Sequence, residues 1–308
     1  MVHSKPANPK KSQRERLRGI AETTLEALQT GSVVVDGVTH DIAETIRVSN
    51  EGTSYYSPDD PSLSNWADTI PPSETPLSDP EISILEISVL EAARLLVDTL
   101  APLNTTHNSI AVLNFASATR PGGGFISGAQ AQEESIARSS TIYSSLMTDT
   151  AQQFYQLHKQ DRKRGFYYHA MIWTPTVVVF RNDAGDWVEP FKVSAVTSAA
   201  VNAGDVRKKA SESVPPPDPV EVEERVEATM RERMARVLFL LEKQGVKNVV
   251  LGSFGTGVFR NKVELVAKIW ADLLTTKDAR FKHSFHRVIF AIIGTETFNT
   301  FKQTFEPA

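Results

Sequence analysis

The chain contains no cysteine. That one absence removes disulfides, thiolate nucleophiles and cysteine zinc sites together, and makes an intracellular protein, nuclear or cytoplasmic, the expectation. No uninterrupted apolar run approaches the roughly 20 residues that a bilayer span needs, so no membrane association is expected. A large excess of charge of either sign is lacking as well. With 33 Lys and Arg against 37 Asp and Glu the net charge is -4, which argues against direct nucleic-acid binding by the molecule as a whole. No solenoid-length repeat, coiled-coil pattern or sticky edge segment is evident, and a monomer is expected. No metal motif appears either: His283 and His286 stand three apart with no third ligand, and no cofactor is called for.

What is present fits a globular protein. The 308 residues are 41% apolar and 23% charged, close to the ordinary mix and long enough for a sizeable core. Residues 1–18 carry Lys5, Lys10, Lys11, Arg14, Arg16 and Arg18 with no apolar segment behind them, so they are not a secretory signal. They read as a disordered, solvated arm, with a localisation or nucleic-acid role as the alternative. Residues 19–308 then read as a single α/β domain with an N-terminal extension (19–81). The extension begins with an amphipathic helix through Leu17, Ile20, Ala21, Thr24 and Leu25 that stops at Gly31, followed by a short hairpin turning at Asp36 and Gly37. From 51 to 81 Ser, Pro, Asp and Thr dominate, and an irregular surface segment is expected.

One grammar then recurs three times: buried strand, loop, helix. Residues 82–87 lead to a helix whose Ser88 and Glu91 have capping-box spacing. Residues 109–117 lead through a glycine triplet to a helix running on through Ile136, Ser140, Tyr143 and Met147. Residues 246–253 lead through a second glycine loop to a helix over 262–274. Two further strands flank an Asn-Asp-Ala-Gly turn near 182–185, a Pro-rich insertion falls at about 211–220, and a long helix covers 219–244. A last strand over 287–294 and a closing helix complete a sheet covered on both faces.

Both glycine loops follow buried strands at the carboxyl edge, where open α/β sheets place their ligands. Their exposed amides, with a helix N-terminus behind, suit a phosphate or pyrophosphate, although glycines there also simply turn the chain. Neither loop is a P-loop, since no Lys-Ser/Thr follows Gly252 to Phe259, and Arg260 breaks a dinucleotide fingerprint. Ten residues beyond the triplet Gly122, Gly123 and Gly124 come Gln132, Glu133 and Glu134 at a helix start. Successive helical residues point about 100° apart, so the two carboxylates cannot share one job. One can face the ligand while the other buttresses the loop or touches another part of the ligand; alternatively both merely favour the helix dipole. A carboxylic acid beside a phosphate-holding loop suits glycosidic cleavage, in which it protonates the departing oxygen.

The stretch from Val112 to Leu146, with its glycine triplet, a seven-residue gap and Gln-Glu-Glu, resembles the signature of microbial-type poly(ADP-ribose) glycohydrolases. Blocks at 173–185, 196–202, 250–261 and 286–294 match the same family in order, so the resemblance runs from about residue 14 to 306. It implies a macrodomain-like three-layer α/β/α sandwich with a mixed central sheet. It also implies a hydrolase that cleaves ribose-ribose bonds of poly(ADP-ribose), with the polymer or ADP-ribosylated proteins as substrate and ADP-ribose as product. By the same resemblance Glu134 is the general acid/base, Glu133 orients ribose hydroxyls, and Gly122 to Gly124 pack against the diphosphate and distal ribose. Gly255, Thr256, Gly257, Val258 and Phe259 would wrap the diphosphate from the other side, and Gln132 is a further ligand-binding candidate; Asn114 and Asn202 read as loop or ligand residues, with a buried, satisfied asparagine as the alternative for each. Thr256 replaces a cysteine usual in the family, and Arg120 replaces an asparagine often found before the triplet. A mono-ADP-ribosyl hydrolase and a non-catalytic ADP-ribose reader are the competing readings.

Overall fold

The computed structural model describes residues 9–69, 79–103, 110–160 and 164–306. Helix α1 (Pro9–Thr30) leads into the hairpin β1 (Ser32–Val35) and β2 (Val38–Asp41), then α2 (Ala43–Gly52), β3 (Ser54–Tyr56) and the single turn α3 (Pro61–Ser64). Next come β4 (Glu81–Leu85), α4 (Val89–Leu100) and β5 (Ile110–Phe115), followed by the short helices α5 (Gln132–Ser139), α6 (Ile142–Leu146) and α7 (Asp149–Lys159). The long strands β6 (Met171–Arg181) and β7 (Trp187–Ser198) precede α8 (Ala203–Ser211) and α9 (Pro219–Lys243). The chain closes with β8 (Asn248–Leu251), α10 (Val263–Leu274), β9 (Arg287–Ala291) and α11 (Thr295–Phe305).

Seven strands form one mixed sheet in the order β3-β6-β7-β5-β8-β9-β4. Its inner run from β7 to β4 is parallel, while β6 and β3 add antiparallel. Successive side chains of a strand point to opposite faces, and the core divides accordingly. Ala111 and Leu113 of β5, with Val249 and Leu251 of β8, pack with Met234, Leu238 and Trp270 from α9 and α10. Ile110 and Val112, with Val250, pack instead with Leu96, Ile136 and Phe154 from α4, α5 and α7. The result is the three-layer sandwich expected. Ser88 caps α4 by accepting the Glu91 amide at 3.0 Å while Glu91 Oε2 accepts the Ser88 amide at 2.8 Å, completing the capping box.

Three expectations need correction. The basic arm is helical from Pro9 onward, and its part at 1–8, Lys5 included, lies outside the described residues. Leu17 and Ala21 bury the helix face, and Arg14 Nε donates to Ser127 O at 2.7 Å while Arg16 donates to Ala184 O at 2.6 Å. The segment 51–81 is irregular only in part: β3 joins the sheet edge and α3 buries Leu63, while 70–78 lies outside the described residues. The helix read through 133–147 breaks at Ser140, which is extended at φ -151° and bridges Val179. The cause is the outer edge of β6. Strand β3 pairs only with Met171 to Trp173, so the edge beyond is taken by 140–141, with Thr141 N donating to Val178 O at 2.9 Å and Thr141 Oγ1 accepting the Val178 amide at 3.0 Å. An exposed ladder edge is thereby closed.

Candidate active site

The site is built around the carboxyl end of β5. Its pairing with β8 ends at Val112, leaving the backbone of Leu113 and Phe115 without a strand on that side. Gln132, the first residue of α5, takes the vacant place. Its Nε2 donates to Leu113 O at 2.7 Å and its Oε1 accepts the Phe115 amide at 2.8 Å. A side-chain amide thus continues the ladder and pins α5 to the strand.

Between strand and helix the triplet makes a tight turn. Gly122 and Gly123 have φ of +64° and +59°, a left-handed conformation that suits glycine. The turn closes through the Gly123 amide on Arg120 O at 3.0 Å and the Phe125 amide on Gly122 O at 3.2 Å. Phe125 is fully buried and anchors the loop edge-on against Tyr143, with ring centroids 4.8 Å apart. Absence of a side chain at Gly123 has a specific use: a Cβ there would lie 2.3 Å from Glu134 Oε1 and 3.1 Å from Glu133 Oε2.

The two glutamates divide their work. Glu133 points into protein and is only 2% exposed. Its Oε2 accepts the Ser117 amide at 2.6 Å, and its Oε1 faces Asn114 Nδ2 at 3.4 Å. Burial pushes its carboxyl up to about 8, opposed by the Ser117 amide and reinforced by the charge of Glu134. Glu134 lies at the floor of the cleft. Its Oε1 accepts the Gly124 amide at 2.9 Å, while Oε2 has no hydrogen-bond partner among the described residues. Arg138, one turn further along α5, donates to Ala129 O and to Ser135 Oγ and sets a positive charge near Glu134.

The opposite wall is the second glycine loop. Gly255, at φ +76°, leaves no room for a Cβ, which would fall 2.4 Å from Ala200 Cβ and 2.7 Å from Asn261 Nδ2. Asn261 is buried and locks the loop by donating to Val201 O at 2.7 Å and Gly255 O at 3.0 Å. Trp270 of α10 donates to Gly252 O at 3.1 Å and fixes where the loop begins. Gly257 and Val258 form its exposed crest, Thr256 Oγ1 turns back to Ser253 O at 2.9 Å, and Phe259 packs on Tyr167 with centroids 5.9 Å apart. Between the walls runs a cleft of about 910 Å3, of the size that holds a nucleotide-like ligand.

Residues 21–182 match the family model described as microbial-type PARG, catalytic domain. The chain belongs to this family of poly(ADP-ribose) glycohydrolases. It is 33% identical to the poly(ADP-ribose) glycohydrolase of Thermomonospora curvata, over 94% of this chain and 100% of that one, with a TM-score of 0.82. The same enzyme bound to the inhibitor ADP-HPD gives 33% identity, 94% and 99% coverage and a TM-score of 0.80. The Deinococcus radiodurans poly(ADP-ribose) glycohydrolase in complex with ADP-ribose is 30% identical over 89% of this chain and 99% of that one, with a TM-score of 0.70. A search of curated proteins found no match.

For a glycohydrolase of this family, the structure brings most of the sequence candidates to one cleft: Gly123, Gly124, Glu133, Glu134 and residues 255–259 all line it. Four candidates do other work. Asn114 is fully buried beneath Glu133, donating also to Thr197 Oγ1 at 3.2 Å, and does not reach the cleft. Gln132 borders the cleft, but both ends of its amide are occupied by β5. Gly122 faces Phe125 and Tyr143 rather than the cleft. Asn202 caps α8 by accepting the Asp205 amide at 3.1 Å. Sequence reasoning missed Phe115, Tyr167 and Asp183, which also line the cleft. Asp183 accepts from Ser88 Oγ at 2.5 Å, tying the β6–β7 turn to the cap of α4. Among the described residues no cluster of His, Cys, Asp and Glu could hold a metal ion.

Proposed function

We propose that this glycohydrolase binds the end unit of poly(ADP-ribose) in the cleft between the two glycine loops and cleaves its ribose-ribose bond with Glu134 as general acid and base. The observation that carries the reading is Glu134 itself. One carboxylate oxygen is fixed by the Gly124 amide, the other is buried without a protein partner among the described residues, and the residue borders the cleft. The protonated carboxyl gives its proton to the departing ribose oxygen as the bond from that oxygen to the anomeric carbon breaks. Positive charge gathers on the sugar left in the cleft. Glu134, now a carboxylate, then takes a proton from the attacking water, whose oxygen completes the released ADP-ribose.

Glu133 supports this step without touching the bond. Held near 8 by burial, its carboxyl is uncharged at neutral pH, so the ionised Glu134 has no second negative charge beside it. The Ser117 contact makes Glu133 the buttress of the first loop. Backbone amides of the two loops supply the diphosphate contacts in this reading; that the cleft takes an ADP-ribose unit is supported by the ADP-ribose and ADP-HPD complexes of the two bacterial relatives. The protein is read as a monomer that needs no cofactor.

The test is to offer poly(ADP-ribose) and mono-ADP-ribosylated protein separately and to follow ADP-ribose by chromatography. Release from the polymer with little from the mono-modified protein is expected. Release only from the mono-modified protein would transfer the chemistry to the protein-ribose linkage.

A further inference from the structure

Behind Tyr167 lies a second cavity, of about 590 Å3, between residues 164–169, α8 and α9. Its lining carries Arg164, Lys209, Arg225 and Arg236 against a single carboxylate, Asp59. Lys209 is paired with Asp205 at 2.8 Å and Arg236 with Glu232 at 2.6 Å. Arg225 is exposed, stands over the Phe166 ring at 4.9 Å and has no ion pair among the described residues. On the same stripe of α9, Arg233 is fully buried and donates to Ala199 O and Phe166 O, both at 2.9 Å, with no carboxylate against it among the described residues. A buried cation without a counter-charge is costly, and an anion in the adjoining cavity would offset it.

Guanidinium groups beside the rings of Phe166 and Tyr168 offer a phosphate partner and a stacking surface together, the combination that holds a nucleotide without reading its base edges. The cavity is not isolated from the cleft. Tyr167 lines both, and its ring packs on Phe259 of the second glycine loop. We propose that this cavity is a second subsite, taking the adenosine phosphate portion of another ADP-ribose unit of the polymer whose end unit occupies the cleft. The inference rests on the reading of the cleft given above. Its consequence is selective: the subsite adds affinity for polymer and nothing for free ADP-ribose at the cleavage site.

The experiment uses the full chain carrying Glu134→Gln, so that polymer is bound without turnover. Long poly(ADP-ribose), ADP-ribose and an unstructured RNA of matched charge are titrated with and without Arg225→Glu. Reversing this one cation is expected to weaken polymer binding about tenfold, the scale of one hydrogen bond to a charged group, while ADP-ribose affinity is unchanged. That unchanged affinity also shows the variant to be folded. Polymer affinity equal in the two proteins would overturn the subsite. RNA binding as tight as polymer, and equally weakened, would overturn its assignment to ADP-ribose. Failure of the cleft reading is a separate observation: no ADP-ribose binding, and no polymer hydrolysis by the parent chain.

Discussion

Gly123 and Glu134 share a space that only a hydrogen atom can fill: a Cβ on Gly123 would lie 2.3 Å from Glu134 Oε1 and 2.8 Å from its Cδ. The triplet and the glutamate pair, ten residues apart in sequence, meet in space. The Gly124 amide orients the carboxylate, and the missing side chain of Gly123 admits it.

Gly123→Ala is therefore expected to displace Glu134 and to strain a backbone at φ +59°. A displacement of about 1 Å at a reacting group can lower turnover about 100-fold, and the left-handed alanine costs about 1 kcal/mol or more of stability. Gly19→Ala is the control, since Gly19 lies in α1 outside the cleft and its Cβ would meet nothing within 4 Å. Comparing polymer hydrolysis and melting temperature of both variants checks the account; equal turnover in the two would oppose it.

Burial of Glu133 makes stability depend on pH. The folded carboxyl titrates near 8 against 4.5 for an unburied glutamate, so between these values the native state holds a proton that the unfolded chain has lost. Stability from this group is full below about 4.5 and falls by about 1.4 kcal/mol per pH unit as pH rises toward 8. Glu133→Gln keeps an oxygen for the Ser117 amide and cannot ionise. The difference in unfolding free energy between variant and parent should grow in favour of the variant from pH 5 to 8. Parallel stability curves would show that Glu133 ionises normally in the fold.

Gln132 offers a third check. Gln132→Ala exposes or strands Leu113 O and the Phe115 amide, a loss of about 1 to 3 kcal/mol, and loosens α5 beneath Glu134. Lower melting temperature and lower kcat with ADP-ribose affinity largely kept are expected. Unchanged stability with lost ADP-ribose affinity would instead make Gln132 a ligand contact.

The sequence made the frame of this site readable because its parts are local. Apolar runs at 109–115 and 246–251 mark buried strands, and the glycines that follow mark loops. The Ser88 and Glu91 spacing sets a helix start. Burial depth is not local, so the sequence leaves Asn114 open between a ligand contact and a buried asparagine; near the end of a buried strand next to the loops, it is enclosed by Thr197 and Glu133. The apolar period through Ile136, Ser140 and Tyr143 survives a break at Ser140 that only the open edge of β6 requires. Tyr167 and Asp183 reach the cleft from segments whose own patterns announce nothing but a loop and a turn. The basic residues near the N-terminus look solvated until Leu17 and Ala21 are seen packing against the sandwich.

The most direct test of the central claim compares the parent chain with Glu134→Gln on poly(ADP-ribose)-modified protein, measuring ADP-ribose release and, separately, ADP-ribose binding. The parent is expected to release ADP-ribose, and the variant to bind it while releasing it about 100-fold to 10,000-fold more slowly, the range for loss of a general acid/base. A variant that hydrolyses polymer at the parent rate would contradict the assignment of Glu134.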